Sequence, residues 1–180
     1  MSSRRSVRSF ADDTLTPQQV SNLLWAAQGI TDTNRGLRTV PSAGATYPLE
    51  VYLLAPQGIF HYDPALNSLS VLKLQDARQE LANACYSQPW VARAQISIVL
   101  CAIPERTSGR YGDRTMRYIL LEAGHAAQNI LLEAAALNLG GVPIGAFDDK
   151  KVGALIGLDS AQENTIPLYI NSIGVPAKEQ

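Results

Sequence analysis

Between about Asp113 and Leu139 the chain carries a helical pattern that is apolar nearly all the way round, ended by Gly140-Gly141. A helix with no polar face cannot lie on the surface of a small globular protein; it belongs in the middle of something. With 180 residues the chain fits one domain with one core, so this helix must organise it. It is no membrane span, because its greasiest stretch, Ile130 to Leu139, is interrupted by Glu133 and Asn138 and falls well short of roughly 20 residues.

The surrounding elements follow from turn and capping signals. Thr16-Pro17-Gln18-Gln19 supplies a capping Thr, a Pro at the first helical position and a Gln to return the bond. That helix carries Val20, Leu23, Leu24 and Ala27 on one face, and Gly29 stops it. Residues 30–41 read as a loop. Leu49 to Ala55 reads as a strand, and a hairpin follows from Gly58 through Tyr62, turning at Asp63-Pro64 and returning over Leu69 to Leu74. Asp76 is placed to cap a short helix running to about Tyr86. The nearly unbroken apolar run Gln95 to Ala102 is a strand covered on both faces. Residues 104–113 read as a polar loop and Val142 to Phe147 as a small-residue loop. A helix from Asp149 to Ile156 and a last strand from Ile166 to Val175 complete the chain. Helices and strands interleave without a βαβ rhythm, so the order predicts an α+β layered fold.

Composition excludes several functions. A formal charge of −1 and a pI near 6.1 leave no basic footprint for nucleic acid or a membrane surface. Cys85 and Cys101 stand far apart in apolar patterns, which reads as buried free thiols in a reducing cytoplasm. Glu122-x-x-His125 is half of a di-iron motif, but only two histidines exist and His61 falls in the hairpin, so no metal is expected. Glu122, His125, Asn129 and Glu133 instead read as a polar seam, satisfied within the protein or across a subunit interface. No nucleophile–histidine constellation can be assembled.

Two features could hold a ligand. Arg4, Arg5, Ser6 and Arg8 suit a phosphate dianion, though the spacing alone fits a solvated basic terminus as well. Gly44 and Ala45 in one loop, Gly145 and Ala146 in another, would let the backbone approach a flat ligand; ordinary turns read the same way. No G-x-G-x-x-G follows a strand, so no Rossmann dinucleotide site is indicated.

Taken together and in this order, these segments resemble the FMN-dependent nitroreductase family over nearly the whole chain. The resemblance rests on Arg4-Arg5-Ser6-Val7-Arg8-Ser9-Phe10, Pro41-Ser42 through Tyr47-Pro48, and Glu122-Ala123-Gly124-His125-Ala126-Ala127-Gln128-Asn129 running on to Phe147. Pro-Ser-x-Gly-x-x-Tyr-Pro, the Tyr62-Asp63-Pro64 hairpin and Gly-His-Ala-Ala-Gln-Asn together are most similar to the SagB-type azoline dehydrogenase branch. The resemblance implies a mainly antiparallel sheet flanked by helices, and a homodimer with an exchanged C-terminal segment and FMN at the interface. Arg4, Arg5, Ser6 and Arg8 would contact the FMN phosphate and ribityl chain. Ser42, Gly44, Ala45 and Thr46 would line the ring or ribityl, Gly145 and Ala146 would offer amides to the ring's reactive edge, and Lys178 would be a second phosphate contact. Many simple nitroreductases carry Asn where this chain has Ala45, so one polar flavin contact is missing or replaced.

The activity implied is ping-pong hydride transfer from NAD(P)H to a small planar quinone or nitroaromatic, with Arg110 and Tyr111 touching substrate and no side chain acting as catalyst. The alternatives are azoline oxidation in a modified peptide and a flavin-binding module without turnover.

Overall fold

The computed structural model describes residues 2–158 and 164–177. A six-stranded sheet is built from β3 (Leu49–Ala55), β4 (Gly58–Asp63), β5 (Ser68–Lys73), β6 (Ile96–Ala102), β7 (Gly140–Ile144) and β8 (Ile166–Gly174). Its order is β5-β4-β3-β6-β8-β7, and every neighbouring pair is antiparallel. The period-2 rule sorts the side chains between two cores. Val51 and Leu53 of β3 and Ile98 and Leu100 of β6 face one side; Tyr52, Leu54, Val99 and Cys101 face the other. Every residue of β6 is buried, as its unbroken apolar run requires.

The first core is closed by α1 (Pro17–Gln28) and α5 (Thr115–Ala136), the second by α2 (Arg78–Ala84), α3 (Pro89–Arg93) and α6 (Asp149–Ile156). The capping box at α1 forms as the sequence predicts: Thr16 accepts from the Gln19 amide, and Gln19 returns a 2.8 Å bond to the Thr16 amide. At α6 the Asp148 side chain caps Lys151, and Gly157 ends the helix in the left-handed conformation.

Several expected loops are ordered elements. Residues 30–41 contain a small hairpin, β1 (Ile30–Asp32) with β2 (Leu37–Arg38). Residues 104–113 are not a loop but α4 (Glu105–Tyr111) followed by a 3-10 turn, Gly112–Arg114. Only Thr107 of α4 is buried, so the segment has no apolar stripe to betray it. α3 is a five-residue helix started by Pro89. α2 ends at Ala84, earlier than expected, although Asp76 does accept from the Arg78 amide. The first half of the expected 142–147 loop is edge strand β7. Its glycines admit close neighbours: a Cβ on Gly140 would meet Val7 at 2.7 Å, and one on Gly141 would meet Leu131 at 2.9 Å.

α5 is shorter than its sequence pattern, and its apolar surface is only half covered. Ala123, Ala126, Ala127, Ile130 and Ala134 are buried, whereas Met116 is 39%, Leu120 54% and Leu121 53% exposed. The C-terminal segment bonds within its own chain: β8 pairs with β6 and β7, Ala11 donates to Val175, and Ala177 donates to Ser9.

Candidate functional site

Two clusters gather the residues singled out by the sequence. The first lies on the β7 edge. The N-terminal arm runs parallel to β7, with Ser6 opposite Gly141 and the Val7 amide donating to Gly141 O at 3.0 Å. Arg5, Ser6 and Arg8 are exposed and Arg4 is half-buried. Arg5 spends one nitrogen on the carbonyls of Ser2 and Arg4. Arg8 lies over the Trp90 ring, 5.5 Å from its centroid. Among the described residues none of the three guanidinium groups has a carboxylate partner. Gln88, just before α3, donates to Ala146 O, so α3 and its lead-in link Arg8 to the 145–146 loop. Gly145 and Ala146 are exposed, and their amides donate to no acceptor among the described residues.

The second cluster is the segment leading into β3. Ala43–Ala45 forms a 3-10 turn, and Gly44, Ala45 and Tyr47 all have positive φ, at 59°, 53° and 44°. Such conformations cost non-glycine residues about 1 kcal/mol or more and persist only when their surroundings fix them. Here the fixing is visible. Ser42 Oγ accepts from the Tyr47 amide at 2.9 Å, Thr46 bonds Thr107 of α4 at 2.9 Å, and Arg106 donates to Tyr47 O at 3.1 Å. Arg38 stacks on the Tyr47 ring at 4.6 Å. Arg110 reaches Gly44 O at 3.5 Å, and a Cβ on Gly44 would lie 2.7 Å from Tyr111 Oη. Arg110 and Tyr111, expected to touch substrate, are thus brought onto this turn together with Ser42, Gly44, Ala45 and Thr46. Lys178 lies outside the described residues.

The sequence reading missed the charged support beneath that turn. Glu50 joins His61 and Arg106, one on each carboxylate oxygen. Burial would raise its pKa, but these two partners together hold the carboxyl below the usual range. Two ionisable residues on neighbouring, largely apolar strands, Glu50 diagonal to His61, were the available signal.

The polar stripe on α5 is satisfied mainly inside the chain. Asn129 donates to the carbonyls of Ala26 and Thr39, and Glu133 accepts from Asn22. Glu122 is 3% exposed, and its Oε1 has no partner. Burial pushes its pKa up to about 7, opposed by a hydrogen bond with Ser42 and by the Arg38 charge. A raised folded-state pKa means that Glu122 costs no stability below about pH 4.5 and progressively more as pH rises to about 7 and levels off. Glu122→Gln is therefore expected to melt several degrees above wild type near pH 8, the gap closing toward pH 5; thermal melts across that range check it. No three His, Cys, Asp or Glu side chains among the described residues are grouped to hold a metal. No helix among them is long and apolar enough to cross a membrane.

The two clusters stand apart. Leu49, Ala102 and Ile166 mark one end of the sheet, and Ile96, Ile173 and Gly141 the other. Gly141, which pairs with the arm, is about six residues along and three strands across from Leu49, roughly 20 Å by 14 Å, whereas Ile144, just before Gly145 and Ala146, is level with Tyr52, about three residues along. No hydrogen bond, ion pair or ring contact among the described residues joins the 42–47 turn to the N-terminal arm or to Gly145 and Ala146. Such a layout defines an α+β protein with two residue clusters at different places on one sheet and an apolar helix face left uncovered among the described residues.

Known proteins share this fold. The profile of the Nitroreductase family matches residues 1–174. A nitroreductase-named protein of Methanocaldococcus jannaschii is 42% identical over 95% of this chain and 86% of its own length. The microcin-processing protein McbC of Escherichia coli is 27% identical over 89% of this chain and 62% of its own. A crystal structure from Ralstonia eutropha, described as a nitroreductase, superposes with a TM-score of 0.87 at 28% identity, covering 98% of this chain and 81% of that one. The chain belongs to the nitroreductase family, and it is an oxidoreductase of that family. Members of the family generally bind FMN.

Proposed function

We propose that the protein is an FMN-dependent oxidoreductase that uses NAD(P)H to reduce a small planar acceptor, a quinone or nitroaromatic, and works as a cytoplasmic homodimer. The observation that carries this reading is the separation of the two clusters on one sheet, which a second copy would bring together around one flavin.

The residues fit the cofactor. Arg4, Arg5 and Arg8 present guanidinium groups without an acidic partner, and Ser6 adds a hydroxyl, the set a terminal phosphate takes. Gly145 and Ala146 offer unpaired amides to the acceptor atoms of a ring edge. Ser42, Gly44, Ala45 and Thr46 form a turn already braced by Arg106 and Arg38. Lys178 is proposed as a further phosphate contact. When bound, FMN supplies the two-electron chemistry between nicotinamide and acceptor. The chain's own part is to bind, orient and shield. Arg110 and Tyr111 sit over the turn as the residues that meet the acceptor.

A second reading has one specific support. McbC aligns over most of the chain, and a structure of the E. coli microcin synthetase complex with a truncated pro-peptide bound superposes with a TM-score of 0.82 at 25% identity. It favours azoline oxidation in a modified peptide. Initial rates with NAD(P)H and a quinone or nitroaromatic separate the readings. Parallel lines in double-reciprocal plots, with each substrate competing at high concentration, are expected for one shared pocket. Intersecting lines refute the shared pocket. Flavin bleached by nicotinamide with no transfer to any planar acceptor favours the peptide substrate, and flavin bleached by neither nicotinamide favours a non-catalytic module.

A further inference from the structure

The segment between α2 and β6 touches the N-terminal arm twice. Trp90 of α3 lies under Arg8, and Gln95, just before β6, reaches Ala11. Gln95 is 8% exposed, and both ends of its side-chain amide are engaged. Its Nε2 donates to Ala11 O at 2.7 Å, and its Oε1 accepts from the Val175 amide at 2.8 Å. Ala11 and Val175 are opposite residues of a short antiparallel ladder between the arm and the chain beyond β8. In that ladder Phe10 pairs with Pro176, the Ala177 amide donates to Ser9 O at 3.0 Å, and the Ala11 amide donates to Val175 O at 2.8 Å. Opposite residues at such a position ordinarily exchange two backbone bonds. Here one is direct, and the Gln95 amide stands in the place of the other. Gly174 leaves room for it: a Cβ there would overlap Gln95 Oε1 and lie 2.8 Å from Phe10. The position needs a donor and an acceptor on one side-chain tip. A carboxylate only accepts, and an aliphatic side chain leaves both backbone groups without this partner.

We propose that Gln95 is a positioning residue: by completing the Ala11–Val175 pair it holds the arm on the sheet before the cofactor arrives, so that Arg4 and Arg8 meet the terminal phosphate already in place. This rests on the FMN reading given above. The arm needs such a hold. Arg4, Arg5 and Arg8 put three positive charges into five residues, and none has a carboxylate partner among the described residues. Their mutual repulsion favours a detached, solvated arm while no phosphate is bound. The bond from Val7 to Gly141 O anchors the middle of the arm, and Gln95 anchors it three residues beyond Arg8. Order already present in the empty protein is order that binding need not impose, and affinity rises accordingly. The same segment reaches the other loop of this cluster, since Gln88 donates to Ala146 O at 3.1 Å. Residues 88–95 thus fix the arm and the 145–146 loop from one short stretch of chain.

FMN and riboflavin, which lacks the phosphate, are titrated into flavin-free protein and followed by fluorescence quenching; the pair separates a positioned arm from a general loss of structure. Gln95→Met, close in size but without the amide, is expected to weaken FMN binding about 3- to 30-fold, the worth of one to two net hydrogen bonds, and to leave riboflavin affinity within about twofold of wild type. Gln95→Glu, which keeps an acceptor for Val175 and loses the donor for Ala11, is expected to weaken FMN binding as well. In the Arg4→Ala/Arg8→Ala background Gln95→Met is expected to cost less than about twofold further, because it acts only through those two residues. Hydrogen exchange on flavin-free wild type is expected to show the Val7 and Ala11 amides protected, and Gln95→Met to speed both. Equal losses for FMN and riboflavin, a full further loss in the double-arginine background, or Val7 and Ala11 amides that exchange freely in wild type overturn the proposal while leaving FMN binding intact. Wild type that binds FMN no more tightly than riboflavin removes the phosphate site and this proposal with it. No FMN binding at all overturns the cofactor reading itself.

Discussion

The Arg4→Ala/Arg8→Ala double variant is expected to bind FMN at least about 100-fold more weakly than wild type while melting at nearly the same temperature. A hydrogen bond to a charged group contributes about 1.5–3 kcal/mol, or roughly 10- to 150-fold each in affinity. Arg8 lies over the face of Trp90, and no ion pair among the described residues involves Arg4 or Arg8, so their loss leaves no buried carboxylate stranded. The backbone bonds that hold the arm to β7 and β8 come from Val7, Ala11 and Ala177 and survive the change. The fold should therefore persist while the cofactor leaves. A change below about twofold in a calorimetric or fluorescence titration would make the arm a solvated basic terminus and remove the main support for a phosphate site.

What the sequence made legible was whatever carries a local signal. The capping box of α1, the left-handed Gly157 after α6 and the unbroken apolar run of β6 each belong to a short stretch whose physics is complete in itself. α4 and β7 were read as loops for the opposite reason. α4 offers seven mostly exposed residues, none of them aliphatic, and β7 opens with two glycines, which lower strand propensity. Those glycines are there because Val7 and Leu131 press against their backbone, a tertiary fact that nearby sequence does not contain.

The candidate site divides along the same line. Arg8 with Ala146, and Ser42 with Arg110 and Tyr111, were picked out by residue type, and the fold groups them into two clusters. The brace under the second cluster, Glu50 with His61 and Arg106, depends on a hairpin register and a distant helix meeting at one carboxylate. The α5 stripe was read as one seam. It is two: Asn129 and Glu133 tie the helix to α1, while Glu122 lines a small cavity together with Ser42 and Ala43 of the 42–47 turn.

Leu120→Glu/Leu121→Glu is expected to convert the proposed dimer to a folded, flavin-poor monomer. α5 is apolar nearly all round, yet the sheet and α1 cover only one side of it and leave Leu120 and Leu121 more than half exposed. Two glutamates on that side cost the single chain little, because each reaches water. In a dimer that closes over α5 they would be desolvated without partners, at several kcal/mol each. The buried side behaves differently. Ile130 and Ala127 are 0% and 2% exposed within one chain, so Ile130→Glu or Ala127→Glu should give insoluble protein whatever the oligomeric state. The exposed pair is therefore the discriminating one. Sedimentation at nanomolar concentration should give about twice the chain mass for wild type and the single-chain mass for the variant. FMN affinity should fall with it, because the 42–47 turn and the N-terminal arm lie at separate places on one sheet, and in the proposed dimer each chain would supply half of each site. A variant that remains a dimer would move the interface away from α5. A variant that is a folded monomer with undiminished FMN affinity would place the whole flavin site within one chain.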